Sequence, residues 1–255
     1  MSSEVLPAAP SLGTRPERAP PHTAAARRER VFFCSMAIAC ALIVLLGFSR
    51  TYYFNDWMPV PFALTPLLHL HGAVFSAWMM LMIAQTALVA AHRIDLHRRL
   101  GIAGAAIAAA MIVLGPVVAV TRTAEGVIAD HGAPPLVFLA VPLIGIAVFG
   151  VLVGAALHFR RRAPGAHKRL MLLATLEVAT AGTARLPVVA SWGPVGFFAV
   201  TDVLVLALAA YDLATSRRLH PATLWGGMLF VLSQPLRMLI GASESWLAFA
   251  GWLTA

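Results

Sequence analysis

The sequence predicts an all-α integral membrane protein with seven transmembrane helices around a four-helix core. Of the 255 residues, 60% are hydrophobic and only 12% are charged, and the mean hydropathy is +0.81. A water-soluble fold cannot bury that much apolar surface. The apolar residues also fall into runs close to the roughly 20 residues that cross a bilayer as a helix. These runs occupy residues 31–49, 67–91, 100–120, 135–157, 170–190, 196–214 and 222–242.

The segments on either side of the predicted membrane domain, residues 31–242, are of a different kind. Residues 1–30 are rich in Pro, Ala and Arg and lack periodicity, which predicts a disordered cytoplasmic tail. The first apolar run is longer than the core of a secretory signal, so we interpret it as a retained helix. Residues 243–255 are too short to span, and we expect them to lie on the outer membrane interface.

Basic residues alternate between the two sides of the predicted membrane domain. They precede the first run and occupy the loops after the second, fourth and sixth runs. Arg and Lys accumulate in cytoplasmic loops. We therefore predict a cytoplasmic N-terminus and a periplasmic C-terminus in a bacterial inner membrane. The net charge of +8 then reflects topology and attraction to anionic lipid rather than to nucleic acid. The loop residues are Arg93, Arg98, Arg99, Arg160, Arg161, Arg162, Lys168, Arg169, Arg217 and Arg218.

Small residues indicate which of the predicted helices lie in the centre of the bundle. Predicted helices three and five are dense in Gly and Ala, which lets helix backbones approach closely, so we expect both to be central.

The sequence contains no glycine-rich phosphate loop, no nucleophile elbow and no zinc-metalloprotease helix. Cys34 and Cys40 match no metal or redox spacing. No motif therefore identifies an enzymatic reaction.

Histidines provide one group of candidate site residues. His97 and His167 begin predicted helices three and five on the same side of the membrane. Inward-facing histidines at one depth in a bundle can hold haem or a metal ion. The alternative is that these side chains meet headgroups and helix carbonyls beside arginine, without a cofactor.

A polar stripe on predicted helix two forms a second group. His71, Trp78, Gln85 and His92 recur every seven residues and therefore share one face. That face must contact protein or a cavity, because lipid offers polar groups no partner. His69 points away from this face, so the stripe favours His71 as the inward-facing residue.

Charges inside the apolar runs form a third group. Glu177, Arg185, Asp202 and Arg237 fall within predicted helices five, six and seven. An isolated charge costs about 2.5–3.5 kcal/mol on insertion scales, so pairing is expected. One interpretation is an ion pair of Asp202 with Arg185 or Arg237 that fixes three helices, and of these two pairs we predict Arg185–Asp202. The other is an outward-opening pocket for an anionic ligand, with Glu177 as a proton acceptor at its floor.

Three short motifs carry a family resemblance over residues 67–187. They are His69-Leu70-His71-Gly72, His97-Arg98-Arg99-Leu100-Gly101, and His167-Lys168-Arg169-Leu170-Met171 running on to Arg185-Leu186. With them the chain resembles a bacterial polytopic membrane family known only as a domain of unknown function (DUF2306-like). The resemblance implies a multi-pass membrane protein and names no substrate.

A looser resemblance is to the transmembrane di-haem cytochromes b. It implies haem b, with His97 and His167 as the inner ligand pair and His71 with His131 as the outer pair. His131 precedes Pro134 and Pro135 in a loop rather than lying inside a helix.

These observations lead to three functional hypotheses. The first is an inner-membrane electron-transfer protein that carries haem b and acts with quinone or a periplasmic partner. The second is a small transporter or binding protein for an anionic or lipid-like solute, using Glu177, Arg185, Asp202 and Arg237. The third is a membrane assembly factor without a cofactor.

Overall fold

The computed structural model describes residues 24–58, 63–126 and 133–255, and every regular element within those ranges is helical. The helices are α1 (Ala24–Gly47), α2 (Pro66–Ala90), α3 (Ile94–Ala124), α4 (Pro135–Phe138), α5 (Ala140–Phe159), α6 (Pro164–Thr183), α7 (Pro187–Ala190), α8 (Gly193–Ser216), α9 (Pro221–Gly241) and α10 (Glu244–Thr254). A π-helical turn, Ser49–Tyr53, follows α1.

Six of these helical segments are long and apolar enough to cross a membrane. They are α1, α2, α3, α4 together with α5, α8 and α9, with window hydropathies from 1.2 to 2.9. Proline occupies the first turn of α2, α4, α6, α8 and α9, where its missing N–H costs no hydrogen bond. This is the architecture of a multi-pass helical membrane protein.

The remaining long helix, α6, lies in the centre of the bundle and packs against α1, α5, α8 and α9. Thirteen of its 20 residues are buried, whereas at most 39% of any apolar window in the other long helices is buried. It carries Lys168, Arg169 and Glu177. Because protein rather than lipid surrounds α6, it can hold charges that a lipid-facing helix cannot.

The position of α6 confirms the expectation that predicted helix five is central, but the same expectation for helix three is wrong. The corresponding helix, α3, packs chiefly against α2 and α5 and exposes Ile102, Ile112 and Val113. Its small residues therefore shape one interface rather than the middle of the bundle.

A close crossing of α1 and α6 fixes the central packing. A Cβ atom placed on Gly182 would lie 2.8 Å from the Ile43 carbonyl oxygen, and one on Gly47 would overlap the Gly182 backbone. The two backbones can approach this closely only because both positions are glycine.

The helix boundaries differ from the sequence prediction at several points. Residues 24–30, predicted to belong to a disordered tail, form the first turns of α1. Predicted helix five continued to residue 190, but α6 ends at Thr183 and Pro187 begins the short α7. The region beyond residue 243 forms a short helix, α10, whose N-cap Ser243 accepts a hydrogen bond from the Trp246 amide at 3.3 Å.

Candidate functional site

The bundle has two dissimilar ends. We call the end that carries the α2–α3, α5–α6 and α8–α9 loops the basic end, after its arginines. The opposite end contains a cavity of about 550 Å³, within the range of about 300–1,000 Å³ typical of small-molecule sites. Residues from α1, the π-helical turn, α2, α3, α5 and α6 surround it. Its walls are mainly apolar, with Phe48, Phe75, Met79, Val118 and Phe149 among them.

Charged side chains also line this cavity. Arg185, Arg237, Glu177 and Arg122 all contribute to its surface, as does His71 from the polar stripe of α2. Arg122 pairs with Glu125 at 2.5 Å. The sequence-predicted charges Glu177, Arg185 and Arg237 are therefore brought to one cavity, whereas Asp202 is not among its lining residues.

Glu177 and Arg237 form a buried ion pair at the cavity wall. The Arg237 Nη1 and Glu177 Oε1 atoms lie 2.8 Å apart, and the two side chains are 2% and 4% exposed. Arg237 Nη2 also donates to the Ser233 hydroxyl at 2.7 Å. A Cβ atom on Gly145 of α5 would lie only 3.0 Å from Glu177 Oε1. Glycine at this position thus leaves room for the pair.

Arg185 has a different environment, and the predicted Arg185–Asp202 ion pair is wrong. Arg185 Nη1 donates to the Ala181 carbonyl at 2.7 Å, and the guanidinium lies 4.2 Å from the centre of the Phe48 ring. Asp202 instead accepts from Gln234 Nε2 at 2.7 Å. The prediction placed Arg185 on a continuous helix, but α6 ends before it. Among the residues that the structure describes, no carboxylate lies within ion-pairing distance of Arg185.

Three further polar atoms at the cavity are buried and lack a hydrogen-bond partner within the described parts of the chain. They are Thr51 Oγ1, His71 Nδ1 and the Arg237 Nε. A buried polar group without a partner costs about 1–3 kcal/mol, so such groups are rare unless water or a ligand meets them. Together with Arg185, Glu177 and Arg122 they form the polar part of a mainly apolar cavity lining.

Two tyrosines of the π-helical turn close one side of the cavity. The Tyr53 hydroxyl lies 2.6 Å from the Ser76 hydroxyl, and the Tyr52 hydroxyl donates to the His69 carbonyl at 3.2 Å. Burial, with a smaller contribution from Tyr53, raises the pKa of Tyr52, so its phenol stays protonated. π-Helical turns of this kind occur often at functional sites.

Four histidines lie near the basic end and divide into two groups. His97 and His167 face each other, with ring centres 6.4 Å apart. His92 and His158 are exposed, and His92 lies outside the α2 stripe because the helix ends at Ala90. His167 Nδ1 lies 2.9 Å from the Ala156 carbonyl oxygen, which leaves its Nε2 atom available.

The spacing of the His97 and His167 rings is compatible with two ligands on one haem iron. A metal–nitrogen bond of about 2 Å on each side would leave two imidazole centres about 6 Å apart, close to the observed spacing. No group of three or more His, Cys, Asp or Glu that could hold a metal ion occurs in the described ranges. Two ligands are too few for a closed metal site, but they suffice for an iron whose other positions a porphyrin fills. His131, the proposed outer partner of His71, lies outside the described residues.

A second buried ion pair lies at the basic end, and the sequence analysis missed it. Arg169 of α6 binds Asp212 of α8 through Nε and Nη2, and their side chains are 8% and 1% exposed. Asp212 also accepts from the Thr223 hydroxyl at 2.6 Å and the His220 amide at 3.1 Å. The position of Arg169 in the sequence predicted an exposed residue of a basic loop. Asp212, a lone carboxylate in the final turns of an apolar run, was the available signal.

Comparison of the chain with family models, with curated proteins and with solved structures finds no match. The two sequence resemblances therefore stay predictions.

Proposed function

We propose that this chain is a seven-span membrane protein that binds an amphiphilic anion in the cavity, with the anionic head at Arg185. The six apolar helices and the central α6 supply the seven spans. The basic end faces the cytoplasm, since Arg and Lys accumulate on that side. The cavity then lies in the periplasmic half of the membrane.

The observation that carries this proposal is the guanidinium of Arg185. It lines the cavity beside Phe48, and none of the described carboxylates pairs with it. A charge within a membrane protein that lacks a counterion indicates a substrate or ligand site by default. Guanidinium groups bind carboxylate and phosphate oxygens in a bidentate manner, so the missing counterion is an oxyanion.

The rest of the cavity supports an amphiphile rather than a small inorganic anion. Aromatic and aliphatic side chains form most of its wall, while Thr51 Oγ1, His71 Nδ1 and Arg237 Nε provide unpartnered polar atoms. A ligand with a hydrocarbon chain and one oxyanion head would satisfy both kinds of surface. With Glu177 neutralising Arg237 and Glu125 neutralising Arg122, the described residues of the cavity carry one uncompensated positive charge, at Arg185.

Binding of a fluorescent long-chain fatty acid to the purified protein in nanodiscs tests this proposal. Losing a hydrogen bond to a charged group costs about 1.5–3 kcal/mol, so Arg185→Gln should weaken binding roughly tenfold to a hundredfold. Arg185→Lys should retain more affinity, because it keeps the charge. Arg98→Gln, which removes an exposed arginine at the basic end, is the matched control and should bind as wild type does.

Two outcomes would contradict the proposal. Equal affinity in Arg185→Gln and wild type would show that Arg185 does not hold the head group. Equal binding of the fatty acid and its uncharged methyl ester would show that the cavity recognises only the hydrocarbon chain.

A haem b bound by His97 and His167 is a second candidate function, which the spacing of the two rings favours. Haem would supply one-electron transfer, toward quinone or a periplasmic partner. The purified protein supplied with haem should then show a Soret band that His97→Ala and His167→Ala both remove. His158→Ala, an exposed histidine on α5, is the control. A colourless wild-type protein would exclude this candidate.

A further inference from the structure

The polar stripe of α2 connects the two ends of the bundle. His71 Nδ1, Trp78 Nε1 and Gln85 Oε1 are buried and have no hydrogen-bond partner among the described residues. They are seven residues apart and lie along one side of the helix over about 21 Å, at 1.5 Å per residue. The stripe begins at the cavity, which His71 lines.

The stripe ends at the histidine pair of the basic end. The His97 ring lies against the Gln85 backbone, and its Nδ1 atom is another buried atom without a partner in the described chain. Its neighbour His167 lies 6.4 Å away between ring centres. Four of the six unpartnered buried polar atoms therefore form one row, which we call the polar seam: His71, Trp78, Gln85 and His97.

The seam lies between α2, α3 and α5. Gly101 of α3 faces Gln85, since a Cβ atom there would lie 3.7 Å from Gln85 Nε2. Phe149 of α5 meets the Trp78 ring edge to face, with centres 5.2 Å apart. All four polar atoms are buried, so they point into an interface between helices rather than toward lipid.

The spacing of the seam excludes direct hydrogen bonds between its members on α2. Successive groups are about 10 Å apart along the helix axis, whereas a hydrogen bond joins atoms about 2.7–3.2 Å apart. Buried water commonly satisfies polar groups that have no protein partner, and each such water makes about three hydrogen bonds. Two or three waters in each interval would satisfy all four atoms.

We propose that bound water fills the polar seam and gives protons a path from the cytoplasmic end of α2 to the cavity. In the orientation of the proposed function, the proton enters from cytoplasmic water beside His97 and passes from water to water past Gln85 and Trp78. It arrives at the cavity beside His71. The side chains of the seam only orient the waters, and the proton moves between water molecules. No bond other than O–H and N–H bonds forms or breaks.

Proton flux into liposomes tests the seam. The full-length protein is reconstituted with a pH-sensitive dye inside, a pH gradient is imposed, and a potassium ionophore clamps the membrane potential. Wild type should conduct protons above protein-free vesicles. Gln85→Leu should lower the flux by about tenfold, since it removes a group that orients water. Thr86→Val is the matched control, because Thr86 donates to carbonyls of its own helix at Met82 and Ile83.

Each result decides the proposal. A wild-type flux equal to that of protein-free vesicles overturns it, as does a Gln85→Leu flux equal to wild type. If Gln85→Leu fails to fold, Trp78→Phe is measured instead, together with hydroxyl-radical footprinting of the wild type. Labelling of Trp78 supports bound water beside it, and no labelling overturns the seam. Fatty acid binding in the same variants is expected to be unchanged, so failure of the seam and failure of the binding proposal are distinguishable.

Discussion

The two buried ion pairs of α6 have opposite surroundings. At the basic end, the Asp212 carboxylate accepts from Arg169, Thr223 and the His220 amide, and the pair is sealed between helices. At the cavity, Glu177 meets Arg237 alone in the described structure, and the Arg237 Nε has no partner there. A fully hydrogen-bonded pair has no donor or acceptor left for a ligand, whereas a partly satisfied pair beside a cavity can still hydrogen-bond one. The first pair fixes the bundle and the second belongs to the site.

The largest expected effect comes from breaking the pair at the basic end. Asp212→Ala leaves the Arg169 guanidinium buried and unpaired, which should lower the free energy of unfolding by about 3–5 kcal/mol. The measurement is the thermal midpoint in detergent. Replacing both residues, as Arg169→Met with Asp212→Leu, should recover much of the loss because no charge stays buried.

The exposed Arg93–Asp95 pair provides the control for that experiment. Its side chains are 58% and 62% exposed, and surface pairs contribute about 0–1 kcal/mol. Asp95→Ala should therefore leave the thermal midpoint nearly unchanged. An Asp212→Ala protein as stable as Asp95→Ala would show that the basic-end pair does not fix the bundle.

A smaller effect on stability, but a gain in binding, is expected from Glu177→Gln. The amide oxygen can still accept from Arg237, so the loss should be about 1–3 kcal/mol, that of a weakened buried hydrogen bond. Removing a negative charge from the cavity should strengthen fatty acid binding several-fold. Weaker binding in this variant would mean that Glu177, rather than being a like-charged neighbour of the head group, supports the ligand.

A methyl group added on α5 beside the Glu177–Arg237 pair tests how tightly this pair is packed. A Cβ at position 145 would lie 3.0 Å from Glu177 Oε1 and 3.3 Å from Arg237 Nη1. Gly145→Ala should therefore lower stability by about 1 kcal/mol or somewhat more, the usual cost of overpacking. Gly154→Ala on the same helix meets nothing within 4 Å and should be neutral or stabilising by about 0.5–1 kcal/mol. Equal thermal midpoints in the two variants would count against the tight contact.

The smallest effect is a pH dependence at the basic end. His220 caps α9 by accepting from the Ala222 amide through Nδ1 at 3.1 Å. Burial and then the positive charge of Arg169 hold the pKa of His220 below its usual 6.5. The neutral cap therefore stabilises the fold above pH 6.5, and this contribution is lost as the pH falls through the lowered pKa.

Thermal midpoints at pH 7 and pH 5 test this dependence. Wild type should lose up to the value of a helix cap, about 0.5–2 kcal/mol, in addition to any loss from other groups. His220→Asn keeps a capping side chain that does not titrate, so it should lose less between the two pH values. Identical losses in the two proteins would assign the pH dependence to other groups.

The positions of the helices could be predicted from the sequence because each apolar run has to satisfy its own backbone in lipid. The approach of His97 and His167 also follows from their places at the same end of the bundle, at the starts of α3 and α6, which both pack against α5. Partners of the buried charges could not be predicted in this way. Depth in the membrane is readable from sequence position, but pairing also depends on the rotation of α6 against α8 and α9.

Arg185 and Asp202 illustrate that limit of sequence reasoning. The two residues were assigned similar depth, yet α6 ends at Thr183 and turns Arg185 toward Phe48. Asp202 meets Gln234 of α9 instead. Arg169 is the converse case. Its position near a basic loop suggested an exposed side chain, but it forms a buried ion pair with Asp212.

The charges of α6 also affect how the protein is made. Both of its buried partners, Asp212 and Arg237, lie on helices that are synthesised after it. When α6 leaves the ribosome, Arg169 and Glu177 have no counterion, and each charge opposes entry into lipid by about 2.5–3.5 kcal/mol. In the proposed seven-span arrangement, stable insertion of α6 therefore depends on α8 and α9, so ribosome-bound chains truncated before residue 212 should leave α6 accessible to water.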